Sequence, residues 1–205
     1  INDQVEVLFI GGGFSALLTS GRLHERGIDN IRIVERGSDV GGTWYWNRYP
    51  GAACDVVSYD YLPLLDEMDY VPVNHYSRGP EIFGHCQAIA RKYNLYDLAV
   101  FSTTVTETVW NEAEQLWHVK TDRGDDMRAR FVICANGTLA KPKLSLIDGM
   151  NTFKGHAFHS SRWDYEYTGE HLENLKDKRV GIIGTGASAV QIVPELGKTA
   201  KSLTV

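Results

Sequence analysis

Val5 to Ala16 reads VEVLFIGGGFSA. The apolar run from Val5 to Ile10 is nearly continuous, whereas a half-exposed strand would alternate, so a strand covered on both faces is expected. Three glycines follow at once, and Leu17, Leu18, Gly21 and Leu23 then recur near helical spacing. Gly27 is placed to end that helix in a left-handed conformation. Ile31 to Val34 reads as the next strand, with Glu35 at its carboxyl end. Strand, glycine turn, helix, strand and acid in this order suit a dinucleotide. Gly11 allows the tight turn, Gly13 lets backbone approach a pyrophosphate, and the small Ala16 lets helix and strand pack closely. The helix start at Phe14 and Ser15 offers free N–H groups and about half a positive charge to phosphates. Glu35 can accept hydrogen bonds from ribose hydroxyls, and its charge repels a 2'-phosphate, so FAD or NAD fits better than NADP. The same turn occurs in other α/β folds, where Glu35 would be a solvated strand end.

A second turn repeats this logic. Arg179 to Ile183 reads as a strand and leads into Gly184-Thr185-Gly186-Ala187-Ser188-Ala189. Val190, Ile192, Val193 and Leu196 supply an apolar helical face, and Pro194 predicts a bend or an early helix end. Ser202 to Val205 begins another strand. The second unit is opened and not completed, so a fragment of a longer enzyme, inactive by itself, is expected. Arg or Lys that would choose NADP over NAD belongs after that second strand, beyond Val205. Two such turns in one chain suggest electrons passed from one nucleotide to another.

The bulk of the sequence narrows the class. With 205 residues there is room for one large domain or the start of a two-domain protein. A net charge of -5 argues against a nucleic-acid binder that relies on a basic surface. No apolar run approaches the roughly 20 residues of a membrane helix, and no signal-peptide pattern is present. Cys54, Cys86 and Cys134 show neither metal spacing nor a CxxC pair, which points to reduced thiols in a cytoplasmic protein. His75, His85 and His118 have no ligand spacing and read as structural, and no metal is expected.

Between the turns, Pro80 to Tyr93 carries an apolar face at helical spacing. Thr103 to Trp110 and Leu116 to Thr121 read as paired strands, and Met127 to Ala135 as a third. Gly41-Gly42-Thr43-Trp44-Tyr45-Trp46-Asn47-Arg48-Tyr49-Pro50-Gly51-Ala52-Ala53-Cys54-Asp55 is too rich in glycine and aromatics for a plain surface loop. Its rings could wall off a planar ring system and exclude water, or could simply form an aromatic core. Asp55 lies among Ala52, Ala53, Val56 and Val57, so apolar surroundings and a polar partner are expected for it. Phe153 to Asp164 reads FKGHAFHSSRWD and links the two units.

Together these motifs resemble the Baeyer–Villiger monooxygenases, flavoprotein monooxygenases that use FAD and NADPH. The loop GGTWYWNRYPGAxCD after the first turn looks like their flavin loop. Phe153, Gly155, His159, Trp163 and Asp164 match their signature FxGxxxHxxxW(P/D) at every fixed place. The resemblance runs over essentially the whole chain, and the relatives are much longer. It implies an α/β flavoprotein with two dinucleotide-binding domains. Residues 1–150 would form a Rossmann-like FAD domain with an inserted β-meander, residues 151–178 the linker, and 179–205 the start of a Rossmann-like NADP domain. Carried over by motif, FAD would meet Gly11, Gly13, Phe14, Ser15, Ala16, Glu35, Arg36, Gly42, Thr43, Trp44, Trp46, Asp55 and Tyr61. The backbone near Thr104 and Val105 would meet the adenine. NADP would meet Ala53, Cys54, Asp55, Gly184, Thr185, Gly186, Ala187, Ser188, Ala189 and Gln191.

Asp55 would also serve catalysis by pairing with an Arg beyond Val205, while His159 and Trp163 would couple the two domains. Residues around Asn136 would return to the flavin, although Thr138 stands where many relatives carry Gln. Tyr59, Tyr61 and Leu62 would reach the rim of a ketone pocket, of the kind that takes bulky cyclic or polycyclic ketones. The implied reaction inserts one oxygen atom of O2 beside a ketone carbonyl through a flavin peroxide, giving an ester or lactone. The implied partners are a small ketone and O2, in a monomer or weak homo-oligomer. Three alternatives share parts of the pattern: a flavin monooxygenase acting on nitrogen or sulfur, a disulfide reductase lacking its CxxC, and a non-catalytic FAD-binding fragment.

Overall fold

The computed structural model describes residues 1–139, 141–145 and 147–205. The Val5–Ile10 run lies within β1 (Gln4–Ile10), an inner strand of a six-stranded sheet. Its neighbours are β2 (Ile31–Val34) and β6 (Asp126–Cys134), both parallel to it. The order is β3-β2-β1-β6-β5-β4, with β3 (Ala99–Val100), β4 (Val105–Asn111) and β5 (Leu116–Thr121). β4, β5 and β6 are successively antiparallel. The third strand of this meander is thus also the parallel neighbour of β1. The two-residue β3 is too short to show in the sequence pattern.

The apolar run is explained by two cores. Val7 and Phe9 pack with Leu17 and with Ile89 and Tyr93, on one face. Those partners come from α1 (Phe14–His24) and from α5 and its end (Gly79–Lys92, then Tyr93). Leu8 packs on the other face, with Val119, Met127 and Ala129 of the meander. Phe9, Leu8 and Leu17 are each fully buried. Such burial stabilises by about 1.5–3 kcal/mol per side chain, so Leu17→Ala is expected to cost ~2–5 kcal/mol. Gly27 has φ +76° after α1, as its place in the sequence predicts.

Single turns of helix punctuate the rest: α2 (Thr43–Trp46), α3 (Ser58–Tyr61), α4 (Leu65–Met68), α6 (Leu95–Leu98) and α7 (Tyr165–Thr168). The second glycine turn sits between β7 (Arg179–Gly181) and α8 (Ala187–Gly197), and β8 (Ser202–Thr204) pairs parallel to β7. β7 ends two residues sooner than the sequence suggests, and Ile183 is 71% exposed. α8 runs through Pro194, so of the bend or early end expected there the early end does not occur. Pro194 is exposed, as is Val190, whose carbonyl loses the partner. Water can serve that carbonyl, so the penalty of a buried orphan group does not arise.

Among the described residues, no helix is long and apolar enough to cross a membrane. His85 is buried and bonds to the Pro63 carbonyl at 2.7 Å, and His118 pairs with Glu114 at 2.9 Å. His75 lies edge-on to Tyr76. Each histidine therefore has a structural contact.

Candidate functional site

A cleft of about 700 Å3 opens at the carboxyl ends of β1, β2 and β6. It is the place where α/β sheets receive ligands. Its floor is backbone. Gly11 has φ +108°, and a Cβ there would lie 2.6 Å from the Ala135 carbonyl oxygen. Gly42 has φ +52°, and its Cβ would lie 2.8 Å from the Gly13 Cα. The two glycine loops therefore touch backbone to backbone; a side chain at Gly42 would force them apart, and one at Gly11 would strike the Ala135 backbone just after β6. The start of α1 presents Phe14 and Ser15 to the same space.

Glu35 closes one end. It is 5% exposed; one carboxylate oxygen accepts the Gly12 amide at 2.6 Å and the other accepts the Gly37 amide at 2.6 Å. Each oxygen keeps lone-pair capacity for a further donor such as a ribose hydroxyl. The opposite wall is aromatic. The Trp44 indole N–H donates to the Tyr61 hydroxyl at 2.7 Å, and the rings meet edge to face at 5.9 Å. Phe14 meets Tyr61 likewise at 5.8 Å. Burial raises the Tyr61 hydroxyl above its ordinary pKa, so it is neutral and can act as a donor.

Gly11, Gly13, Phe14, Ser15, Glu35, Arg36, Gly42, Thr43, Trp44, Trp46, Tyr61 and Val105 all line this one cleft. Ala16 is buried behind it, where small size matters for packing. Asp55 is exposed and does not line it, so the apolar surroundings expected for Asp55 are absent: Val56 beside it is 43% exposed. Leu62 is buried against Trp44 and Ile82, not at a rim, while Tyr59 is 63% exposed. Cys54 joins the same buried cluster, and burial pushes its thiol pKa up.

Thr103 to Thr108 line the cleft as a segment, as do Cys134 to Leu139, which extends the expected Thr104-Val105 and Asn136 neighbourhoods. Another feature escaped the sequence reading. Arg162 stacks over the Trp46 ring at 3.8 Å, and Arg36 lies over the same ring at 4.9 Å. Burial, with Arg36 nearby, lowers the Arg162 pKa. Its position beside Trp163 in the linker motif was the available signal.

In the linker, His159 caps the turn Ser160–Arg162. Its Nδ1 accepts the Ser161 amide at 3.1 Å, which leaves the proton on Nε2. The Trp163 indole donates to Thr168 Oγ1 at 3.1 Å and packs against the core of Leu172, Leu175, Ile192 and Leu196. Tyr49 from the aromatic loop packs on that core too. Gly184 (φ +111°), Thr185, Gly186 and Ala187 form an exposed turn at the start of α8, with Ser188 half-buried and Ala189 buried. Gln191 and Ala53 meet: the Gln191 amide donates to the Ala53 carbonyl at 2.8 Å.

A family model for flavin-binding monooxygenase-like proteins matches residues 4–205. A Baeyer–Villiger monooxygenase (ATR8) of Stachybotrys chlorohalonatus is 52% identical over 209 residues, covering 100% of this chain and 33% of the relative. A polycyclic ketone monooxygenase from Thermothelomyces thermophila superimposes with a TM-score of 0.95 at 41% identity, over 98% of this chain and 35% of that one. OTEMO, solved in complex with FAD and NADP, gives 0.89 at 35% identity over 97% of this chain and 38% of that one. The chain spans about a third of the length of the curated relatives it matches.

Proposed function

Because this chain belongs to the flavin-binding monooxygenase-like family, and its close relatives are Baeyer–Villiger monooxygenases, we propose that it is the FAD-binding part, with the start of the NADP-binding part, of such an enzyme. The whole enzyme would insert one oxygen atom of O2 beside the carbonyl of a ketone, with NADPH as reductant. The observation that carries this is the single cleft that gathers Gly11, Gly13, Gly42, Glu35, Trp44 and Tyr61. Residues 1–150 hold the flavin, 151–178 link, and 179–205 open the NADP unit.

The residues present fit FAD. Its pyrophosphate would rest on the Gly11–Gly13 and Gly42 backbone, where a Cβ would fill the cradle. The free amides at Phe14 and Ser15 would neutralise phosphate charge. Glu35, held rigid by Gly12 and Gly37, would accept a ribose hydroxyl. Arg36 would flank the adenosine half, and the backbone at Val105 would face the adenine. Trp44, Trp46 and Tyr61 would wall off the ring system from water. Bound FAD would supply hydride acceptance from NADPH and activation of dioxygen. The Gly184–Ala189 turn would hold the NADPH pyrophosphate, with Ala53 and Cys54 nearby. Asp55, exposed on the loop, would pair with an arginine of the rest of the enzyme.

A bulky cyclic or polycyclic ketone fits best as substrate, by analogy with the polycyclic ketone monooxygenase. The enzyme would be cytoplasmic and a monomer or weak homo-oligomer. The test is NADPH consumption by the full-length enzyme with ketones, amines and sulfides in parallel. Ketone-stimulated turnover with ester formation supports the reading; turnover stimulated only by amines or sulfides refutes it.

A further inference from the structure

Gln191 grips both polar groups of one residue. Its Oε1 accepts the Ala53 amide at 3.3 Å and the Tyr49 hydroxyl at 2.9 Å, while its Nε2 donates to the Ala53 carbonyl at 2.8 Å. The opposite orientation of the side-chain amide would set donor against donor at the Ala53 amide and acceptor against acceptor at the Ala53 carbonyl, so the network fixes it. The approach is close because position 51 is glycine. Gly51 has φ +81°, and a Cβ there would collide with the Gln191 backbone carbonyl. Nearby, the Tyr165 hydroxyl donates to the Arg48 carbonyl at 2.6 Å.

The segment so held is braced on its other edge as well. The Cys54 amide donates to the Ser77 carbonyl at 3.0 Å, and the Gly79 amide donates to the Ala52 carbonyl at 2.7 Å. Ala52 to Cys54 is therefore a piece whose successive residues bond alternately to the Ser77–Gly79 stretch that opens α5 and to α8. The same loop carries Trp44 and Trp46, which line the flavin cleft. α8 begins at the second glycine turn.

We infer that Gln191 is a positioning residue that sets the register between the two nucleotide sites, by clamping the Ala53 peptide of the flavin loop to the helix that starts at the NADP turn. This rests on the reading of the two sites given above. Its side-chain amide is committed to the loop backbone, which separates this role from direct contact with the nucleotide. Hydride transfer demands close alignment of donor and acceptor, and a misplacement of about 1 Å can cost 100-fold in rate. Loss of the clamp should therefore slow hydride transfer more than it weakens either nucleotide.

The test uses the full-length enzyme with Gln191→Ala and Gln191→Glu. Hydrogen–deuterium exchange without NADPH should rise in the peptide spanning 49–56 in Gln191→Ala. Stopped-flow reduction of bound FAD at saturating NADPH should slow about 10-fold or more, with FAD retained and the half-saturating NADPH concentration changed less than threefold. Glu keeps the acceptor but faces the Ala53 carbonyl with an oxygen. The Gln191→Glu enzyme should be slow at pH 8, where the ionised carboxyl can accept but cannot donate. Unchanged exchange, an unchanged reduction rate, or a weakened NADPH affinity at full rate would overturn the inference. A wild-type enzyme that takes no hydride from NADPH would instead overturn the functional reading, and the inference with it.

Discussion

Glu35 holds Gly12 through a 2.6 Å bond from the Gly12 amide to its carboxylate, across 23 residues of chain. The end of β2 is thereby fixed to the first glycine turn, and with it one wall of the cleft. Glu35→Gln places an N–H where one of two amides must donate. A charged hydrogen bond of this kind is worth about 1.5–3 kcal/mol. The substitution should lower stability by ~2 kcal/mol and weaken FAD at least 10-fold, checked by urea unfolding and by FAD fluorescence titration. An unchanged FAD affinity would remove Glu35 from the site.

Gly42→Ala asks for φ +52° with a Cβ 2.8 Å from the Gly13 Cα. The two loops must part, and the pyrophosphate cradle opens. We expect the purified enzyme to emerge without flavin while circular dichroism shows the fold intact. Gly84, whose Cβ would meet nothing within 4 Å, is the control: Gly84→Ala should keep its flavin.

Cysteine labelling reads the same cleft chemically. Cys86 is buried and its thiol is pushed up to about 12 by desolvation, and Cys54 is buried with a raised pKa. Cys134 is exposed and lines the cleft. At pH 8 an alkylating reagent should modify Cys134 first, and saturating FAD should slow that reaction several-fold, as peptide mass mapping would show. Equal rates with and without FAD would place the flavin elsewhere.

Trp163 and Asp164 act on the linker. Trp163→Ala should leave FAD bound and slow flavin reduction, since the ring joins the linker to the core under α8. Normal reduction would count against coupling through Trp163. The Asp164 carboxyl is held below its ordinary range by the Tyr167 amide and by His156. Because the folded value is depressed, its contribution is present above the ordinary aspartate range and is lost as pH falls below that range. Hydrogen exchange of the linker should therefore rise in acid, below about pH 4, and Asp164→Asn should show that raised exchange already at pH 7.

Asp55→Ala should retain FAD and NADPH oxidation but lose most ester formation, measured as product per NADPH consumed. Unchanged coupling would deny Asp55 a role in oxygen transfer.

Much of this was legible in the residues. The β1 run and the Gly11–Ala16 turn disclosed the first unit because a doubly covered strand has no polar alternation and a phosphate cradle needs glycine at fixed places. The aromatic loop was recognisable by its types, yet its partners were not. Nothing in the spacing of Gln191 shows that it will meet Ala53, 138 residues away, because such a contact depends on how α8 packs against the loop. The parallel pairing of β6 with β1 was hidden for the same reason. The early helix end allowed at Pro194 does not occur, because the sequence does not tell which face of α8 meets water. Asp55 misled because apolar neighbours in sequence do not decide where a side chain points: Ala52 is buried, yet Asp55 and Val56 are exposed.

The central claim is best tested by giving the full-length enzyme FAD, NADPH, isotopically labelled dioxygen and a panel of cyclic ketones, and weighing the products. The account predicts a lactone that carries one labelled oxygen atom. Hydrogen peroxide as the sole oxygen product with every ketone would contradict it.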